Sequence, residues 1–267
     1  MVGALNGCAA VYDRIDGAPS EHTGKFDMEI EELLDESIEP HLRAWLRKWP
    51  NALEALNNIA DLFVGIKESC ILGEISEEVS ISGPVHIGKG TKIHPFVTIE
   101  RPVIIGENAS VRSHSIIRSQ AYIGSDCVVG HSADVKRSIC LNGAKMQCGI
   151  FLGDSVLGCG ARIGSGVITA NRKFNQTEVY VKDSAGSLPR KSGREFFGAI
   201  IGRYCRLGAN VVTYPGTIIR EHTWVGAGCV LHGTYGPDQF ISVKQNLDIQ
   251  PKKRLNLRSG KGEYEHV

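Results

Sequence analysis

From Ile75 to Val135 an apolar β-branched residue falls at every sixth position without a miss: Ile75, Ile81, Ile87, Ile93, Ile99, Ile105, Val111, Ile117, Ile123, Val129 and Val135. A helix would scatter such positions around its axis and a flat strand would show period two, so the spacing predicts a hexapeptide-repeat β-helix. The fourth residue after each column position is small or β-branched, as in Val85, Thr91, Val97, Ala109, Ser115 and Cys127. Both positions are expected to point inward. Gly88, Gly106, Gly124 and Gly130 directly follow column residues, where a tight bend between faces favours a residue with no Cβ. Three hexads close one triangular coil, and coils stack roughly 4.8 Å apart, as neighbouring strands do.

Outside this run the pattern changes repeatedly. Residues 1–25 have no periodicity and are expected to be mobile. From Phe26 to about Lys67, Leu33, Leu34, Ile38, Leu42, Trp45, Leu46 and Trp49 recur at spacings of three and four, and Pro50 interrupts before a second run from Leu53 to Ile66. Two or three short helices are therefore expected over 26–72. They would cover the first coil, whose strand edge would otherwise be open, with Trp45 and Trp49 as packing anchors. After Val135 the column continues through Cys140, Met146, Leu152, Leu157 and Ile163 with five-residue steps among the sixes, which marks an altered corner. A long excursion at about 172–197 follows, rich in Arg and Lys, and an interruption of this length is a candidate for function. The period returns at Ile201, Leu207, Thr213, Ile219, Val225 and Leu231.

The fold class is therefore an all-β repeat, a left-handed parallel β-helix over 73–235 with a small N-terminal α-helical cap. Seven or eight coils are expected. Residues 236–267 would supply a closing strand near Gln239 to Gln245 and a basic tail.

Composition narrows the class further. No apolar run approaches the ~18 residues of a membrane span, and the N-terminus has no signal-peptide pattern, so a cytoplasmic protein is expected. The eight cysteines show no CxxC pair and no metal spacing, and Cys127, Cys205 and Cys229 fall at small inward positions; they read as core thiols in a reducing compartment. The net charge of +1 divides unevenly: residues 1–74 hold 6 Lys/Arg against 14 Asp/Glu, leaving a surplus of nine positive charges on the remainder. A basic repeat body suits phosphorylated ligands. No nucleic-acid-binding motif is present.

The segment GHSADVKRSICLNGAKMQCGIFLGDSVLGCGARIGSGVITAN, Gly130 to Asn171, resembles the C-terminal acetyltransferase domain of the bifunctional enzymes that acetylate glucosamine-1-phosphate and then uridylate it. GREFFGAIIG and RLGANVVTYPGT resemble the archaeal branch of those sugar-phosphate nucleotidyltransferases. The likeness implies a homotrimer that takes acetyl-CoA or another acyl-CoA as co-substrate, with a phosphosugar or nucleotide-sugar as acceptor. Their nucleotidyltransferase domain opens with a Gly-rich loop that has no counterpart here, so nucleotidyl transfer is not expected. Carried over by position, Arg118 and Lys136 would hold phosphate, Asn171 would contact the amino sugar or acetyl group, and Lys173 is a further candidate for binding substrate.

At the catalytic position the sequence departs from the family. Cys148 stands where the family has the His that accepts the amine proton, Phe151 replaces a Tyr, and Arg162 replaces an Asn. Cys148 could carry the acyl group, and His131, one coil earlier, could serve as base. A catalytically silent sugar-phosphate-binding or scaffolding trimer is the competing reading. A third is a zinc-dependent carbonic-anhydrase-like site on His94, His114 and His131, near one corner on different coils; against it, the close His-x4-His spacing is missing and no metal is expected.

Overall fold

A computed structural model describes residues 28–181 and 189–251. The expected cationic tail and the proposed mobile start lie outside these residues. The described chain winds into a left-handed parallel β-helix of three flat faces, with nine strands on the first face, nine on the second and eight on the third. The first face runs from Cys70–Ile71 to Thr234–Tyr235, the second from Glu74–Ile75 to Phe240–Ile241, and the third from Ser80–Ser82 to Val230–Leu231. The coil count expected from sequence was short by about one. The first coil starts on the non-periodic Cys70–Ile71, and the last uses Thr234–Tyr235 and Phe240–Ile241.

Each column residue sits directly over its counterpart one coil away, as Ile123 does over Ile105, and the small inward residues stack likewise, Ala121 over Val103. Together with the small inward residues they form one continuous core from Val85 to Leu231. The glycines after the column act differently from the expectation. None of Gly88, Gly106 and Gly124 has positive φ; instead a Cβ on Gly88 would lie 2.6 Å from the backbone of Gly106 in the next coil, and one on Gly106 would lie 2.5 Å from Ser125 N. They are small because successive coils nearly touch there. Left-handed backbone is adopted two residues later, at Gly90, Asn108 and Asp126.

The helices are where the sequence reading needs correction. Helix α1 (Pro40–Leu46) and helix α2 (Ala52–Asn57), with 3-10 turns at Ile30–Glu32 and Ile59–Phe63, do not cover the first coil. They lie along the flank of the first face, packed on its outward residues Ile104, Tyr122, Ile139, Val156, Ile200 and Ile218. Ile71 and Leu72 of the opening coil remain exposed. The physical reason is visible in the sequence after the fact: outward positions on this face are apolar from Ile104 onward, and that strip exceeds what one coil end could offer. Asn51 caps α2 by accepting from Glu54 N at 2.9 Å. The strap is pinned by Arg220 donating to both oxygens of Glu32 at 2.6 and 2.7 Å, and by Leu33 O receiving Cys159 N–H at 2.8 Å. Trp45 is buried and meets Trp49 edge-on at 6.1 Å.

Six described cysteines are free, five of them buried. Cys70 corrects the reading of all the cysteines as free core thiols, being disulfide-bonded. No helix among the described residues is long and apolar enough to cross a membrane. Leu46 is fully buried in the strap core, so Leu46→Ala is expected to cost about 2–5 kcal/mol, read as a lowered denaturation midpoint in circular dichroism.

Candidate functional site

The five-residue steps resolve into one structural event repeated twice. Val135 stacks on Leu152 and Leu152 on Thr169, so two coils contain one residue fewer than their neighbours, and the loss falls both times at the corner between third and first faces. Ser138 and Ser155 sit buried in these shortened corners. The excursion leaves from the same corner one coil later, after Ile168–Thr169, and returns at Ala199–Ile201. It carries an antiparallel pair, Tyr180–Val181 with Arg190–Lys191.

Asp154 occupies the second shortened corner with its side chain fully buried, and its φ is +49°. Arg137, in the preceding corner, also has positive φ, +41°. A non-glycine residue in that region carries strain, more so for Arg than for Asp. One Asp154 oxygen faces Arg137 Nε at 2.8 Å and Arg194 Nη2 at 3.1 Å. The other accepts from Asn171 Nδ2 at 2.7 Å. Arg194 also donates to Leu56 O in α2, so this carboxylate ties corner, excursion and strap together. Beside it, Lys136, Arg137 and Arg172 lie 5.0–5.2 Å from the Phe196 ring centre, within cation–π range.

The expected site residues fall into three groups. Lys136, Phe151 and Asn171 come together around the shortened corner: a Cβ on Gly153 would lie 2.6 Å from the Phe151 ring and 2.8 Å from Asn171 Nδ2. Arg118 stacks one coil before Lys136 but is bonded to Asp134 at 2.6 Å. Burial raises the Asp134 carboxyl above its ordinary range, against the pull of Arg118 beside it. Cys148 and His131 share a ladder position at the opposite edge of the third face, where Gly149 N donates to His131 O. Cys148 is exposed and free. Burial pushes the Cys127 and Cys205 thiols up to about 12, which leaves neither able to supply thiolate.

The other candidates lie apart. Lys173 is in the excursion, where it donates to Thr177 Oγ1 and Glu178 O and lies over Tyr180; it borders a cleft of about 480 Å³ with Tyr214, Pro215 and His232. Arg162 is on the second face, between Lys145 and Arg206. His114 stacks on Phe96 at 5.0 Å and meets His131 edge-on at 5.3 Å, while His94 faces Ser110 Oγ. Among the described residues no three His, Cys, Asp or Glu side chains are grouped to hold a metal ion. Sequence reading missed Asp154, Arg137, Arg194 and Phe196. The five-residue steps marked the corner, but nothing in the spacing said that Arg194, forty residues on, would return to it.

Residues 99–186 match the family model described as the GMPPB C-terminal domain. The Bifunctional protein GlmU of Methanococcus aeolicus is 34% identical over 184 residues, 69% of this chain and 44% of that protein. A bifunctional sugar-1-phosphate nucleotidylyltransferase/acetyltransferase of Sulfurisphaera tokodaii is 31% identical over 178 residues, 64% of this chain and 42% of the other. An uncharacterized acetyltransferase of Escherichia coli, YaiX, is 29% identical over 215 residues, 78% of this chain and 90% of that protein.

Stacked hexapeptide coils with these matches define a hexapeptide-repeat β-helix protein of the acyltransferase superfamily. Within it, the chain is similar to the acetyltransferase part of bifunctional sugar-1-phosphate nucleotidylyltransferase/acetyltransferases, and spans less than half the length of those relatives.

Two outcomes test the local geometry. Gly153→Ala should displace the Phe151 ring and cost about 1–3 kcal/mol, seen as a lower melting temperature. Asp134→Asn removes a carboxyl whose folded pKa is raised, so the native state binds its proton more readily than the unfolded chain. The variant and wild type should be alike in acid, below the unfolded carboxyl range, and the variant should gain relative stability as pH rises through the folded pKa of Asp134, as read by urea denaturation across pH 3–8.

Proposed function

We propose that the chain transfers an acyl group from acyl-CoA to the amine of an amino-sugar phosphate or nucleotide-sugar, as a homotrimer. The observation that carries this is the meeting of Lys136 and Asn171 at the shortened corner, within the segment matched by named acetyltransferases. The acceptor amine attacks the thioester carbonyl, a C–N bond forms, the C–S bond breaks, and the amine proton leaves with a base as CoA departs as a thiol. Lys136 supplies charge for the acceptor phosphate, and Asn171 a polar contact to the sugar. Arg118 takes part in phosphate binding after release from Asp134. Cys148 and His131, at the opposite edge of the third face, would reach such an acceptor only from a neighbouring copy in the trimer, and there would accept the proton or carry the acyl chain. The trimer is supported by the outward strip of the third face, where Ile116, Ile168 and Val230 are exposed beside partly exposed Phe151 and Val212. Such a strip is suited to burial against a copy of the chain.

Mixing the protein with acetyl-CoA and glucosamine-1-phosphate should release free thiol above background; no release with any of a panel of amino-sugar phosphates and nucleotide-sugars would sink this reading. Lys136→Ala should raise the acceptor KM about tenfold or more, the loss of one charge-assisted contact.

A second reading, favoured by Cys148, Phe151 and Arg162 standing where family catalytic groups belong, is a silent sugar-phosphate-binding trimer. It expects binding of glucosamine-1-phosphate to survive Cys148→Ala with no turnover before or after. A rate abolished by that substitution excludes it.

A further inference from the structure

The geometry points to Asp154 as a positioning residue that turns the Asn171 amide so that its carbonyl oxygen, not its NH2, faces the acceptor. This rests on the acyl-transfer reading above. A carboxylate offers only lone pairs, and an Asn amide offers one acceptor oxygen and one donor nitrogen. At 2.7 Å from Asp154 Oδ2, Asn171 must present its NH2 inward. Rotation of the amide would set two oxygens against each other in a site with no room for water at Asp154, which is fully buried.

The carboxylate is itself held. Arg137 and Arg194 sit on its other oxygen at 2.8 and 3.1 Å, its own N–H donates to Lys136 O, and its carbonyl receives Gly198 N–H. Gly153 leaves the space that the Asn171 amide and Phe151 ring fill. Asn171 Oδ1 makes no hydrogen bond among the described residues and is not buried without a partner. It is left as an acceptor on the side away from Asp154. The group it recognises is therefore a hydrogen-bond donor, the N–H of an amine about to be acylated. Holding one N–H of the nucleophile aims its lone pair elsewhere, toward the thioester carbonyl.

The prediction is specific to donor recognition. Wild type should bind glucosamine-1-phosphate about tenfold more tightly than 2-deoxyglucose-1-phosphate, which has no donor at that carbon, by isothermal titration. In Asp154→Asn the amide can rotate, and this preference should fall to nearly none while the affinity for inorganic phosphate stays within twofold. A merely structural Asp154 would weaken all three ligands together. Retention of the full preference in folded Asp154→Asn overturns the inference and leaves acyl transfer standing. A wild type that binds neither sugar phosphate overturns both. Because Asp154→Asn strips two guanidinium groups of their partner and can fail to fold, a measurement on wild type stands beside it. With selectively 15N-labelled asparagine, assigned by Asn171→Ala, the Asn171 side-chain NH2 should exchange at least tenfold more slowly with D2O than exposed asparagine side chains such as Asn175 and Asn210. Exchange at their common rate overturns the assignment.

Discussion

Everything in this molecule depends on the stacking of one coil on the next. Each strand finds its hydrogen bonds in the coils before and after it, so a residue's environment is set by what stands eighteen, or seventeen, positions away. The glycines after the column show how tight the constraint is. A single methyl group on Gly88 or Gly106 would enter the backbone of the following coil. Under such a constraint a coil can change length only at a corner, and the change must be absorbed by residues that tolerate unusual backbone.

The corner between third and first faces absorbs it three times in succession, by two deletions and one insertion. The deletions leave Arg137 and Asp154 in the left-handed region. The insertion sends out a strand pair and brings Arg194 back onto Asp154. A buried carboxylate with two guanidinium partners is a poor device for net stability, since desolvation offsets much of the attraction. It is a good device for orientation, because each of its oxygens holds a hydrogen bond, one from Arg194 and one from Asn171. The same group links corner, excursion and, through Arg194 and Leu56, the helical strap. This network stands where the chain departs from the repeat, at the edge of the third face that carries Lys136, Phe151 and Asn171.

Much of the fold was legible from Ile75 onward because the column and its small partners alternate with solvent at a fixed period; every column residue from Ile87 on is buried, and Ile75 and Ile81 of the first coil pack against the core while partly exposed. The helical strap was legible as helices but not in its place. Leu33, Leu42 and Leu46 announce an apolar face, and no local pattern says which apolar surface will receive it. The outward residues Ile104, Tyr122, Ile139 and Val156 were the missing half of that contact. Of the site, the altered corner could be read from the five-residue steps, and Lys136 and Asn171 from resemblance. Arg118 could be named but not its commitment to Asp134.

The sequence by itself determined the period, and with it the triangular coil, the core and the position of the irregular corner, because those follow from spacing along one dimension. The tertiary structure alone decided that Asp154 would be buried between Arg137 and Arg194, that the Asn171 amide would turn its NH2 inward, and that the strap would lie on the first face. Those outcomes depend on which surfaces and which lone pairs meet across gaps of seventeen to more than a hundred residues, and no periodicity in the chain encodes a meeting of that kind.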